Sequence, residues 1–168
     1  MKLLHIDSSI QSDNSVSRKL TQTVVDQWQQ ADARIEVVYR DLTVNAPNHL
    51  SAAVLSAGAT PPEQRNALQR DEAAISEVLL TEFLAADVLV IGAPMYNFSI
   101  PSQLKAWLDR VMVAGRTFKY TETGPVGLAS EKRAIIVSSR GGIYSAGSPA
   151  QVMEHQESYL KVALGFMG

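Results

Sequence analysis

The 168-residue chain has no cysteine. That excludes disulfides, a thiolate nucleophile and any cysteine-held zinc or iron–sulfur centre. Histidine is almost as scarce: His5, His49 and His155 lie far apart, without the spacing of metal ligands. Charge of one sign is also lacking, since 15 Lys+Arg against 17 Asp+Glu leave a net charge of -2. There is neither a basic footprint for nucleic acid nor a strongly acidic surface. No apolar run approaches the length of a membrane span, and residues 1–7 turn polar too soon for a signal sequence. What remains is one domain's worth of chain, residues 1–168, expected to be soluble and cytoplasmic and to bind a small molecule.

Residues 3–7 read as a first strand and 35–39 as a second. Residues 88–91, Val-Leu-Val-Ile, are a third that looks buried on both faces. Residues 134–138 are a fourth. Between them lie helical patterns: one starting near residues 15–17 with Val16, Leu20, Val24 and Trp28 as its buried face, and one opened by Pro61 and Pro62 with Leu68, Ile75, Val78, Leu79 and Phe83 inside. A third follows Pro101, with Leu104, Trp107, Leu108, Val111 and Met112 at helical spacing, and a last one spans residues 150–164. Residues 45–60 read as a loop with one short helical piece. Residues 116–127, rich in Gly and Pro, read as an irregular excursion. The strand–helix alternation predicts an α/β fold, a doubly wound parallel sheet with helices on both faces and right-handed crossovers.

Three loops leave the carboxyl ends of the first, third and fourth strands, where open α/β sheets bind ligands. In the first, Ser9, Ser15 and Ser17 offer hydroxyls, and the amides around Val16 and Ser17 are free donors at a helix start. The composition suits a phosphate, and equally a helix cap. It matches neither a Walker loop nor a dinucleotide fingerprint. The second, residues 92–101, is stiffened by Pro94 and Pro101 and carries Met95, Tyr96, Asn97 and Phe98. It would press against the edge of a flat heteroaromatic ring, with the Asn97 amide both donating and accepting; the other reading is aromatic packing at a sheet end. The third, Ser139, Arg140, Gly141 and Gly142, allows close backbone approach and exposes amides that would stabilise negative charge on a ring, with Arg140 beside them. A glycine pair after a strand is also an ordinary turn.

Taken together, Pro94-Met95-Tyr96-Asn97-Phe98-Ser99-Ile100-Pro101, the following Leu104-Lys105-Ala106-Trp107-Leu108-Asp109-Arg110 and Ser139-Arg140-Gly141-Gly142 resemble the FMN-dependent NADH:quinone oxidoreductases and azoreductases of flavodoxin-like fold. The resemblance covers essentially the whole length. It implies FMN with its phosphate on Ser9, Ser15, Val16 and Ser17, and its isoalloxazine between residues 94–98 and 139–142, with Tyr144 covering the ring edge. It implies NADH or NADPH as donor, and quinones or aromatic azo compounds as acceptors in a ping-pong cycle. The flavin carries the chemistry, so no catalytic side chain and no metal is expected. Phe98, Phe118 and Tyr120 would form an aromatic wall for the acceptor. A homodimer is implied, each flavin pocket being completed by the neighbouring subunit. Asp7, Asp109 and Arg110 are read as capping or bridging packed elements.

One departure is expected: the usual final strand and helix of the flavodoxin-like fold are missing, which leaves the fourth strand as a sheet edge. Three other functions share the same loops. They are a flavodoxin-type electron carrier, an NADPH-dependent FMN reductase that releases reduced flavin, and a non-catalytic FMN-binding module. Modest net charge argues against the carrier, which needs a charged docking face.

Overall fold

The computed structural model describes residues 1–168. Four parallel strands form the sheet in the order β2-β1-β3-β6: β1 is Lys2–Asp7, β2 Glu36–Asp41, β3 Val88–Pro94 and β6 Arg133–Ser139. The chain winds outward from β1 to β2, then crosses back to β3 and on to β6. This reversal opens a crevice above the carboxyl ends of β1 and β3. β3 is buried along its whole length, as its β-branched run predicts. β6 bonds on one side only, to β3, and is the expected edge.

The period of two in β1 and β3 sorts the core into two layers. Leu4, Ile6, Leu89 and Ile91 point to the larger cluster, with Leu79, Leu80 and Phe83 of α3 (Ala67–Ala85), Leu104, Trp107, Leu108 and Val111 of α4 (Ser102–Val111), and Leu160 and Ala163 of α5 (Glu157–Met167). Leu3, Val88 and Val90 point the other way, to Val25, Val24 and Trp28 of α1 (Val16–Ala31). Helices therefore cover both faces, as the alternation predicts. No helix is long and apolar enough to cross a membrane.

Several local expectations are corrected. In α1 the buried residues are Ser17, Thr21 and Val25, whereas Val16 and Leu20 are exposed. The inward face is partly polar because Thr21 donates to Asp7 Oδ1 at 2.9 Å, at the end of β1. Pro61 and Pro62 open only a 3-10 turn, Pro62–Gln64. The helix α3 starts later, where Asn66 and Gln69 form a reciprocal capping box, and Leu68, Ile75 and Val78 face solvent. The short helical piece before it is α2, Ala52–Ala59.

The excursion at residues 116–127 is a regular antiparallel hairpin, β4 (Phe118–Thr121) with β5 (Gly124–Gly127). Glu122 and Thr123 make its bend, and Gly124, at φ +120°, is the first residue of the returning strand. The last helix begins at Glu157 rather than near residue 150, because the Glu154 carboxylate accepts the amides of Gln156, Glu157 and Ser158. Arg110 bridges packed elements, as expected, whereas Asp109 makes only an i,i+4 pair within α4. The Arg110 guanidinium is fully buried on Glu72 at 2.6 Å and reaches the Asn48 carbonyl, while Asp109 pairs with Lys105.

Candidate functional site

All three loops meet at the crevice above β1 and β3. The first is held to the sheet by Ser8, whose hydroxyl donates to the Gly92 carbonyl at 2.6 Å. Ser15 caps α1, accepting the Arg18 amide at 3.2 Å, and its hydroxyl lies 3.1 Å from that of Ser17. Ser9, Ser15 and Ser17 are all buried, so their hydroxyls are set by the fold rather than by solvent. The amides of Val16 and Ser17, in the first turn, have no carbonyl partner within the helix. The serines thus cap the helix and still leave a donor cluster at its positive end.

The second loop folds on itself, with Tyr96 and Ser99 exchanging backbone hydrogen bonds of 2.9 and 3.1 Å. The two residues between them, Asn97 and Phe98, both have positive φ, +50° and +71°. Asparagine tolerates that region, but a phenylalanine there costs about 1 kcal/mol. Such strain concentrates where backbone has to be presented to a ligand. The Tyr96 hydroxyl closes this loop onto the first, 3.2 Å from Ser9 Oγ and 3.3 Å from the Ile10 amide. Phe98 lies edge-on to Tyr144, with ring centroids 6.4 Å apart.

The third loop joins the second through the Met95 amide, which donates to the Ser139 carbonyl at 2.8 Å. A Cβ at Gly141 would meet nothing within 4 Å, whereas one at Gly142 would crowd the Tyr144 ring at 3.3 Å. Arg140 is not free to act on a ligand alone. Its guanidinium donates to Gln156 and to the Glu157 carboxylate, which fixes it against the start of α5. Gln156, fully buried, in turn donates to the Ala93 carbonyl in β3.

Ser9, Ser15, Val16, Pro94, Met95, Tyr96, Ser139, Arg140 and Gly141 line one recess of about 240 Å³, with Gln11 as a further wall. Ser17 stands behind Ser15. Asn97 lines a larger groove of about 830 Å³ that shares Met95 and Tyr96 with the recess and extends along Ile100, Gln103 and Tyr159. The wall of Phe98, Phe118 and Tyr120 is not assembled within the chain. Phe118 packs inward on Phe166 at 4.6 Å and edge-on to Tyr120, and none of the three lines either recess. The hairpin, which sequence patterning did not reveal, pairs Phe118 with Tyr120 and Phe166, while Phe98 packs on Tyr144.

Two polar groups beside the first loop also escaped the sequence reading. Asp41, at the end of β2, receives both terminal nitrogens of Arg18, at 2.6 and 2.8 Å. Those bonds hold its carboxyl down at about 2. Tyr39 is pushed up to about 12 by burial and by the carboxylates of Asp7 and Asp41, so its hydroxyl keeps its proton and donates to Asp7 at 3.2 Å. Neither belongs to a recognisable motif; an Arg in the first turn after a serine cap is the only local hint.

The sequence model of the flavodoxin-like fold matches residues 1–168. The FMN-dependent NADH:quinone oxidoreductase of Laribacter hongkongensis is 56% identical over 168 residues, covering 100% of this chain and 83% of the relative. The protein of that name from Polaromonas naphthalenivorans is 59% identical over 171 residues, covering 99% and 77%. Among solved structures, an azoreductase from Bacillus anthracis str. Sterne superposes with a TM-score of 0.92 at 29% identity, covering 100% of this chain and 82% of that one. An FMN-dependent NADH-azoreductase from Bacillus anthracis str. Ames Ancestor, in complex with FMN, gives 0.89 at 29% identity, covering 99% and 82%. The chain belongs to the flavodoxin-like fold family, and within it to the FMN-dependent NADH:quinone oxidoreductases and azoreductases.

Proposed function

We propose that the chain is an FMN-dependent NADH:quinone oxidoreductase whose cofactor occupies the recess between the three loops. The observation that carries this reading is the recess itself, walled by the buried serine cap, by Pro94, Met95 and Tyr96 at the foot of the strained Asn97–Phe98 turn, and by the open side of Gly141. Each part suits one part of FMN. The Ser9 and Ser15 hydroxyls and the first-turn amides of α1 bind the phosphate, with Ser17 holding the Ser15 hydroxyl from behind and the helix dipole favouring the charge. Pro94, Met95 and Tyr96 supply an apolar flank for the ring, and the Asn97 amide and the backbone near it present donors and acceptors to its polar edge. Gly141 and Gly142 bring backbone donors close without a side chain in the way, and Tyr144 lies beside them.

When bound, FMN would supply two-electron redox chemistry between NADH or NADPH and a quinone or aromatic azo acceptor, and donor and acceptor would use one site in turn. The protein positions the ring and sets the polarity around it. Of the three residues of the acceptor wall, Tyr120 is 74% exposed and Phe118 is buried. Tyr120 is therefore available to a neighbouring copy in a homodimer, with Phe118 as its support. The cytoplasm, where the nicotinamide donors are plentiful, is the compartment this reading assigns.

Anaerobic mixing of the FMN-loaded protein with NADH tests the reading. Rapid bleaching of the flavin band, then its return on adding a quinone, is the expected result. A flavin that stays oxidised would contradict the enzyme and favour a binding module. Reduction followed by dissociation of the flavin would favour an FMN reductase.

A further inference from the structure

Arg18 sits in the first turn of α1, next to the phosphate side of the recess, yet it does not line it. Its guanidinium turns back across the first loop. Nε and Nη2 donate to the Ser9 carbonyl at 3.1 and 2.9 Å. Nη1 and Nη2 donate to the two oxygens of Asp41 at 2.6 and 2.8 Å, Nη2 also approaches Thr43 Oγ1 at 3.0 Å, and Nη1 reaches the Tyr39 hydroxyl at 3.1 Å.

A guanidinium has five N–H groups, and these acceptors occupy them. The charge is met by a bidentate carboxylate, which is itself fixed by the Thr43 amide at 2.9 Å and the Thr43 hydroxyl at 2.8 Å. No donor is left for an anion in the recess. What the fork grips is the loop. The Ser9 carbonyl is held from below, and the Ser9 hydroxyl faces Tyr96 Oη and the Gln11 amide. One side chain thereby joins the end of β2, the start of α1 and the first loop, which otherwise includes a left-handed Ser12 at φ +46°.

We propose that Arg18, braced by Asp41, is the positioning residue of the phosphate side of the recess: it fixes Ser9 against α1 so that hydroxyl and amide donors converge, without touching the anion. This rests on the FMN reading above. It makes the pair matter for the phosphate and not for the ring. Lysine is no substitute, because a single ammonium lacks the planar fork that spans Ser9 and Asp41 together.

The test is titration of the apoprotein with FMN and with riboflavin, which has the same ring and no phosphate, for wild type, R18M, R18K and D41N. Thermal midpoints of each apoprotein are recorded alongside. FMN affinity is expected to fall on the order of tenfold in R18M and D41N and to recover only partly in R18K, while riboflavin affinity is retained. Equal losses for both ligands, or no loss for either, would overturn the proposal. If R18M does not fold, R18K and D41N carry the comparison. Wild-type protein that binds riboflavin as tightly as FMN would overturn the phosphate-site reading itself and Arg18 with it. A wild-type preference for FMN that R18M and D41N preserve would overturn Arg18 alone.

Discussion

The backbone amide of Met95 donates to the carbonyl of Ser139 at 2.8 Å, continuing the β3–β6 ladder past the sheet and into the ligand loops. Loops two and three are therefore joined through backbone, and Met95 and Gly141 line the same recess. Chemistry at this edge depends on backbone shape, which side-chain truncation barely alters.

Filling that opening is the cleanest perturbation. Gly141→Val sets its Cβ where nothing lies within 4 Å, so the apoprotein should keep its thermal midpoint. FMN binding should weaken by about tenfold or more, read by flavin fluorescence titration. Loss of midpoint with unchanged binding would place Gly141 outside the recess wall.

Gly92 behaves in the opposite way. A Cβ there would stand 2.6 Å from Asp7 Oδ1 and 3.2 Å from Thr21 Cγ2, inside the packed layer between β1, β3 and α1. Gly92→Ala should therefore cost about 1–3 kcal/mol of folding stability, read from urea denaturation.

The buried pair of Arg110 and Glu72 links α4 to α3 and to the loop at Asn48. Burial pushes the Glu72 carboxyl up, but hydrogen bonds from Asn48 and Arg110 outweigh it and hold the group below its ordinary value. Arg110→Met leaves that carboxylate buried without its cation and should cost about 3–5 kcal/mol. Replacing both partners with apolar residues of similar volume should cost much less. A double-mutant cycle in denaturant decides between them.

The strands that carry the second and third loops were legible in the sequence, because residues 88–91 and 134–138 are short β-branched runs, and the three loops stood out by their unusual composition. Three features were not. The inward face of α1 is chosen by Thr21 serving Asp7, a tertiary contact that apolar periodicity cannot reveal. The start of α3 lies in the Asn66–Gln69 capping box, masked by the conspicuous proline pair upstream. The hairpin at Phe118–Thr121 and Gly124–Gly127 has too many turn-forming residues for its short strands to stand out. Arg18, Arg140 and Gln156 gain their meaning from partners distant in the chain, so only the fold reveals that Arg140 is committed to Glu157.

Acid should loosen the Asp41 brace in a defined window. The folded state holds the Asp41 carboxyl at about 2 against an ordinary value of 3.8, so its contribution is present above pH 3.8 and lost as pH falls towards 2. Unfolding free energy measured across that range should decline with falling pH. Asp41→Asn should flatten the decline, and an identical slope in wild type and variant would exclude this carboxylate as its source.

The central claim, that the three loops form an FMN site, is tested most directly by incubating the purified apoprotein with FMN, removing free ligand by gel filtration and recording the visible absorption spectrum. Co-eluting flavin bands at one FMN per chain are the expected result. A colourless protein peak, from chain shown to be folded by circular dichroism, would contradict it.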